Sequence, residues 1–372
     1  MAQVAQLSRR KAGFGENLNL SPVAALPCVH QIVLPTPWEG FLAQVYLLDT
    51  EPLTLIDTGV KWPRSRAALE EAFAALGKKL SEVRRVILTH FHTDHAGQAQ
   101  SLRDAGAELE VIAHEVEAPF IESPVLRRGQ MLENRLALFL EHGVPREVIE
   151  PYATAERHRL QNGPVLSEHT RVDRACRQGD RIACEGLELE VLHAPGHTAG
   201  HLVLFEPNSG TLFTGDHIMG ADVPFTDAYY LGDEPDPDDP AGRRPRLKGL
   251  SGYLDSLRDL QELHPRIILP AHGGIITNPA RTINAARRFY ESRVRRVKRV
   301  LGEITRKRGE ASAWEIWKAM YPNADPESEL RLRMLIVIGS LDVLEQDGAC
   351  WTARREDGVL VHRAADLDDS MG

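Results

Sequence analysis

A chain of 372 residues that is 42% hydrophobic can bury one large core or two smaller ones, and 53 acidic against 44 basic side chains give a formal net charge of −9 at pH 7. That balance weighs against a protein built mainly to grip a phosphate backbone, and no stretch approaches the ~20 consecutive apolar residues of a membrane helix. Cys28, Cys176, Cys184 and Cys350 lack CxxC spacing, which excludes a disulfide framework and a thiolate zinc site.

Met1 to Gly15 carries Arg9, Arg10 and Lys11 with no apolar run behind them, so it does not read as a signal peptide, and a cytoplasmic, membrane-free protein is expected. Strand-like runs follow at Val29 to Leu34, Leu42 to Leu48 and Leu53 to Ile56, the last leading into Asp57-Thr58-Gly59. Pro63 to Leu76 has helical spacing, with Pro63 near its start and Gly77 past its end. Val83 to Leu88 reads as a strand that runs straight into Thr89-His90-Phe91-His92-Thr93-Asp94-His95.

This last segment packs three imidazoles and a carboxylate into six residues. In an extended chain His90 and His92 point the same way, and a turn at Thr93 re-aims Asp94 and His95 as a helix begins. Such a cluster predicts a metal site, and imidazole with carboxylate suits zinc and its divalent neighbours. After a helix from His95 to Arg103 and a strand at Leu109 to Ala113, helices dominate from Glu115 to Arg159, where Met131, Leu132, Leu136 and Phe139 could wall a site or simply pack a helical hairpin. A second β-rich group spans Arg171 to Phe213. It supplies His197, ahead of the Thr198-Ala199-Gly200-His201 run, then Asp216 and His217 after Thr211 to Thr214, and His272 follows Ile267 to Pro270.

Each downstream residue caps a β-like run, and the ordered set HxHxDH, His, Asp, His over about residues 29 to 280 closely resembles the metallo-β-lactamase superfamily. The resemblance implies an α/β fold, an αββα sandwich with the metals at one edge between two sheets. It implies two divalent metal ions per chain, with zinc foremost and iron or manganese as alternatives. His90, His92 and His197 would hold the first and Asp94, His95 and His272 the second. Asp216 would bridge both, and Asp94 would also steer the proton of the attacking water. A zinc-bound water with its pKa lowered to about 7 can supply hydroxide between the two ions, which implies hydrolysis. Asp57 would orient a ligating imidazole, and His201 would support its loop or contact substrate. His217 replaces the small or hydroxyl residue that family members carry there and could touch substrate, as a core histidine equally could occupy that place. His193 is divided between structure and site wall.

Gly220 to Lys248 leaves from the metal edge and is expected to lie over the site as a lid. Phe225, Tyr229 and Tyr230 are its candidate substrate contacts, ahead of the acidic, proline-rich run Gly232 to Pro240. Beyond His272 the chain reads differently: an amphipathic helix from Asn278 to Ile304, helices at Ala311 to Met320 and Ser328 to Glu345, and a β-like pair around Ala349 to Thr352 and Val359 to His362. Helices followed by a hairpin resemble a winged-helix unit, as in the β-lactamase-like protein 2 subgroup. The expected division is a catalytic domain over 1–277 and a winged-helix-like domain over 278–372.

The expected activity is hydrolysis of an ester, thioester or lactone, small or carrier-linked, by a chain that could form a homodimer. The basic face of the Arg287 to Arg308 helix keeps a metal-dependent endoribonuclease open as an alternative, with the subgroup's ribonuclease as precedent. A non-enzymatic sensor or scaffold is a further alternative.

Overall fold

The computed structural model describes residues 19–106, 108–220, 222–237 and 239–365, so the expectation drawn from Met1 to Gly15 lies outside the described residues, as does Asp238 of the acidic run. One sheet contains β1 (Leu20–Val23), β2 (Leu26–Pro35), β3 (Leu42–Leu48), β4 (Thr54–Ile56), β5 (Arg85–Ile87), β6 (Glu110–His114) and β7 (Arg174–Cys176), in that spatial order. Its first four strands pair antiparallel and β4 to β7 pair parallel. The parallel half needs crossovers. They are α1 (Pro63–Ala75), then α2 (Thr93–Ala96) with α3 (Ala99–Asp104), and then α4 (Ala118–Glu122), α5 (Pro124–Glu141) and α6 (Arg146–Asn162).

The second sheet has the order β12-β11-β10-β9-β8, built from β8 (Arg181–Cys184), β9 (Leu187–His193), β10 (Leu202–Glu206), β11 (Thr211–Gly215) and β12 (Ile267–Pro270). Helix α7 (Gly249–Glu262) links the parallel pair β11 and β12.

Side-chain alternation stacks the layers. On β3, Val45 and Leu47 face a cluster with Leu69, Ala72 and Phe73 of α1, whereas Tyr46 and Leu48 face Leu202, Leu204 and Phe213 of the second sheet. On β10, Val203 and Phe205 turn the other way, into a cluster with α5 and α7. The product is helices, sheet, sheet, helices, the αββα sandwich expected from the sequence. The helices over the second sheet include α5 and α6, with Leu132, Leu136, Phe139 and Ile149 in the core, so Glu115 to Arg159 is largely a packing hairpin.

The C-terminal elements are α8 (Pro279–Arg308), β13 (Ala311–Ser312), α9 (Ala313–Met320), α10 (Pro326–Gln346), β14 (Cys350–Arg354) and β15 (Leu360–Ala364), with sheet order β13-β15-β14. Asn278 caps α8 by accepting from the Arg281 N–H at 3.2 Å, Pro279 opens it, and Gly309 at φ 88° ends it. The α8 stripe Ile283, Tyr290, Val294, Val297 and Leu301 joins Leu250, Tyr253, Leu254 and Leu257 of α7 in one continuous cluster. Hydrophobic packing therefore runs unbroken across residue 277. Much of the basic face of α8 is engaged within the chain: Arg287 and Arg295 reach Glu291, Arg293 lies over Phe289, and Arg308 reaches Glu315.

The 220–248 segment is strapped down by ion pairs. Arg246 meets Asp342 of α10 in a forked contact, with 3% and 2% of the two side chains exposed. Arg243 meets Glu345 at 2.6 Å and Asp239 at 2.8 Å, and Arg244 and Arg354 both reach Glu141. Removing one member of a buried pair strands the other charge, so Arg246→Ala should cost about 3–5 kcal/mol in urea unfolding. The apolar double variant Arg246→Met with Asp342→Leu should recover most of that. A single-variant loss below ~1 kcal/mol would mean that the pair does not clamp the segment.

Candidate metal centre

The site sits where the ends of both sheets meet. The segment after β5 delivers His90 and His92, the short α2 delivers Asp94 and His95, the turn after β9 delivers His197, and the segments after β11 and β12 deliver Asp216 and His272. The two sheets are stitched together there. Tyr46 Oη donates to the Pro270 carbonyl at 2.7 Å, the Gln44 N–H donates to the Ala271 carbonyl at 2.8 Å, and the Gln44 side-chain amide donates to the Gly273 carbonyl. On the other side, buried Glu117 accepts from the Phe91 N–H at 2.9 Å and the Gly200 N–H at 2.7 Å, joining the HxHxDH segment to the His197 loop.

The seven residues form two groups of inward-facing atoms, His90, His92, His197 and Asp216 in one and Asp94, His95 and His272 in the other. His92 Nδ1 lies 2.9 Å from His90 Nε2 and 3.0 Å from His197 Nε2. That spacing is near the ~3.3 Å edge of a tetrahedron with bonds of about 2.0 Å to a central cation. Asp216 divides its carboxylate between the groups. Its Oδ2 is 3.3 Å from His197 Nε2 and 3.9 Å from His90 Nε2, while its Oδ1 is 3.1 Å from His272 Nε2 and 3.3 Å from His95 Nε2. Asp94 Oδ2 completes the second group, 3.4 Å from His272 Nε2.

Outer contacts set which ring nitrogen faces inward. His95 Nδ1 donates to Asp57 at 2.8 Å, His197 Nδ1 to the Phe225 carbonyl at 3.0 Å, and His272 Nδ1 to the Leu42 carbonyl at 2.7 Å. Their Nε2 lone pairs are thereby left for the centre. His95 Nε2, His272 Nε2 and Asp216 Oδ1 are buried and face one another at 3.1–3.3 Å without a hydrogen bond among the described residues, an arrangement that a shared cation would satisfy. The donor set fits divalent metal ions.

Electrostatics agrees with that fit. Burial, reinforced by neighbouring imidazoles, holds His90 and His92 well below the usual histidine range. At His272 burial also opposes charge, but Asp216 and Asp94 outweigh it and push the ring up to about 10. His95 is likewise raised against burial by Asp216, Asp57 and Asp94. Asp216 is drawn well below the carboxylate range by His272 and His95 although burial pulls the other way. Three nearly buried carboxylates thus demand positive charge at the centre, as protons or as metal.

Asp57 stands beneath the site in the left-handed region, φ 59°, a conformation tolerated where surrounding contacts fix it. Thr89 donates to it from both backbone and hydroxyl, at 2.8 Å each. His201 accepts from the Asp216 N–H at 3.2 Å and stacks on His90, 4.9 Å between ring centres. Gly215, at φ 49°, has no room for a Cβ, which would meet Thr89 Oγ1 at 2.7 Å.

Of the expected substrate contacts, Phe225 lies against the candidate ligands, 4.6 Å from the His197 ring and 6.2 Å from that of His92. His217 and Tyr230 require correction. His217 is fully buried between His201 and Tyr253, where burial pushes it down to about 3, so it is a core histidine out of reach of a substrate. Tyr230 is also fully buried, its hydroxyl donating to Glu141 and its ring under Arg244, and so it anchors the segment structurally. Tyr229 packs with Ala199 and Leu247 and lines a cavity of about 820 Å³ that also includes Phe120 and Met131. Phe120 in its wall stacks on Phe91, which sits between His90 and His92 in the sequence. His193 stacks on His114 and bonds the Ala199 carbonyl, a structural placement.

The structure adds residues that sequence reasoning missed: Thr89, Glu117, Gln44 and Tyr46 as supports, and Phe41, whose ring lies 4.3 Å from that of His272. Only Phe41 and Trp38 left a local signal, as large apolar residues beside a glycine turn, exposed by 40% and 42%.

Residues 38–272 match the metallo-β-lactamase superfamily. The chain belongs to that superfamily. It is 33% identical over 322 residues to the probable metallo-hydrolase YqjP of Bacillus subtilis, covering 86% of this chain and 92% of that one. It is 21% identical to a β-lactamase-like protein 2 homolog of Caenorhabditis elegans, covering 81% and 77% of the two chains. It is 23% identical to an atrochrysone carboxyl ACP thioesterase of Emericella nidulans, covering 70% and 60%. A β-lactamase domain protein from Burkholderia ambifaria has the same fold, with a TM-score of 0.71, 21% identity and 98% and 100% coverage. The protein is a metal-dependent hydrolase of this superfamily, and no described helix is long and apolar enough to cross a membrane.

Asp57→Asn should weaken metal binding by about 10–100-fold, the usual effect of losing a carboxylate behind a ligating histidine. An unchanged affinity in metal titration would remove Asp57 from the site. Because cations and protons compete for the same lone pairs, affinity should climb from pH 6 toward pH 9 with net proton release on binding, measured by calorimetry in buffers of differing ionisation heat. A pH-independent affinity over that range would contradict the competition.

Proposed function

We propose that the protein is a dinuclear metal-dependent hydrolase of acyl compounds, with a thioester as the favoured substrate and an ester or lactone as the nearest alternatives. The observation that carries this reading is the division of Asp216, one carboxylate oxygen toward each imidazole group. We assign His90, His92 and His197 to one ion, Asp94, His95 and His272 to the other, and Asp216 to both. Two divalent cations held there would supply Lewis acidity toward a carbonyl oxygen and a water whose pKa is lowered to about 7.

The chain's own residues do the rest. Asp57, the Phe225 carbonyl and the Leu42 carbonyl hold three imidazoles in the tautomer that keeps Nε2 free. The Phe225 ring beside His197 and the Phe41 ring beside His272 give the site apolar walls on two sides, suited to the carbon skeleton flanking a carbonyl. A relative described as a thioesterase, at low identity, supports the choice among acyl groups.

The test is a metal assay run with hydrolysis of a thioester, an aryl ester, a lactone, a β-lactam and a short RNA, with a chelator control. About two metal ions per chain and chelator-sensitive thioester turnover are expected. His92→Ala and Asp216→Ala should each lower kcat/KM by roughly a thousandfold or more and reduce metal content, with the fold retained by circular dichroism. Cleavage of RNA alongside inert acyl substrates would overturn the proposal.

A further inference from the structure

The C-terminal helix α10 places a guanidinium at the rim of the metal centre. Arg331 Cζ lies 5.1 Å from the centre of the Phe225 ring, the same ring that packs 4.6 Å from His197. One aromatic side chain therefore separates Arg331 from a proposed ligand. Its side chain is 28% exposed, enough to meet a bound molecule.

Among the described residues, the counter-ion of this cation is a shared one. The nearest carboxylate, Asp227, is 3.6 Å away, but Asp227 is already taken by buried Arg135 in a forked contact, with Nε at 3.0 Å and Nη2 on the second oxygen. Arg331 Nε is buried with no hydrogen-bond partner among the described residues. Glu156, the other acid whose field reaches Arg331, is paired to Arg159. Two guanidiniums thus share one carboxylate beside the candidate metal centre, which leaves local positive charge that a bound anion would offset.

Position is also controlled from the C-terminal side. The Asp227 N–H donates to the Gly196 carbonyl next to His197, and Tyr290 of α8 donates its hydroxyl to the Pro224 carbonyl at 2.5 Å. The Phe225 loop is therefore held between the metal-ligand loop and two C-terminal helices, and Arg331 extends over it.

We infer that Arg331 is a specificity-determining residue that receives an anionic group, a carboxylate or a phosphate, carried on the acyl chain or the thiol arm of the substrate. The inference rests on the acyl-hydrolase reading above for the identity of the chemistry, and it explains why the C-terminal helices are built onto the catalytic core. Guanidinium is suited to this task because its planar donors match carboxylate and phosphate oxygens in pairs and stay charged at every working pH.

The test compares matched thioesters on the metal-loaded full chain: butyryl against succinyl on N-acetylcysteamine, and butyryl on N-acetylcysteamine against butyryl on phosphopantetheine. Wild-type protein should prefer at least one anionic member. Arg331→Gln should lower that anionic-over-neutral ratio of kcat/KM about tenfold, chiefly through KM, and Arg331→Lys should restore part of it, an electrostatic rescue that a purely structural role would not give. Equilibrium binding of phosphopantetheine against pantetheine, and of succinate against butyrate, gives a readout independent of turnover. A ratio that is the same in wild type and Arg331→Gln for every pair, in both kinetics and binding, overturns the inference and leaves the acyl-hydrolase reading intact. Arg331-dependent anion selectivity in binding, without hydrolysis of any thioester, supports the inference and sinks the thioester chemistry instead.

Discussion

One constraint organises the fold around the site: seven polar side chains, six of them buried and His92 half-buried, must present their lone pairs to one small volume. Removing carboxylates and imidazoles from water is costly, and their mutual repulsion adds to the cost unless positive charge joins them. Asp216 is the pivot because its two oxygens face different imidazole groups, so a single side chain is common to both halves of the site. Its position depends on a backbone that only glycine accommodates before it. Gly215 brings the chain so close to Thr89 and His201 that a side chain would collide with both.

The supports are arranged so that no ligand relies on its own strand alone. His95 is fixed by Asp57, which is fixed by Thr89 from the strand that carries His90. His272 comes from the second sheet, yet its ring is oriented by the Leu42 carbonyl and its loop by Gln44 and Tyr46, all on the first sheet. Glu117 does the same between the HxHxDH segment and the His197 loop. The inter-sheet core of Tyr46, Leu48, Leu204 and Phe213 thus serves the site directly, since any slip between the sheets would pull the two imidazole groups apart.

The ligand cluster was legible in the sequence because its chemistry is dense and local, with four donors in six residues, and because each later candidate follows an apolar run that ends in a turn. The strands were legible from runs of Val, Leu and Ile, and α8 from a stripe that recurs at Ile283, Tyr290, Val294, Val297 and Leu301. The supports were not legible. Glu117 looks like any acidic residue at a helix start, and its partners Phe91 and Gly200 lie 26 and 83 residues away. Tyr230 and His217 misled for the opposite reason: an aromatic or imidazole near a ligand in sequence suggests a substrate contact, while the turn of the chain decides whether it faces the metals or the core. Strand β1, only Leu20–Val23, was too short to show a period.

The 220–248 segment shows how contacts remote in sequence fix a connection in place. Its sequence predicts a lid over the site, and it leaves from the edge that carries Asp216, with Phe225 against His197. Yet its basic residues, Arg243, Arg244 and Arg246, are matched one by one to Glu345, Glu141 and Asp342, acids that lie 96 to 103 residues away in the chain. Such matching cannot be read along the sequence, because every one of these residues alone is an ordinary surface charge. In the folded chain the matched pairs convert the segment into a strap between the metal face and α10. Arg331 of α10 also lies over the Phe225 ring, 5.1 Å from its centre, so the C-terminal helices border the site without contributing a ligand.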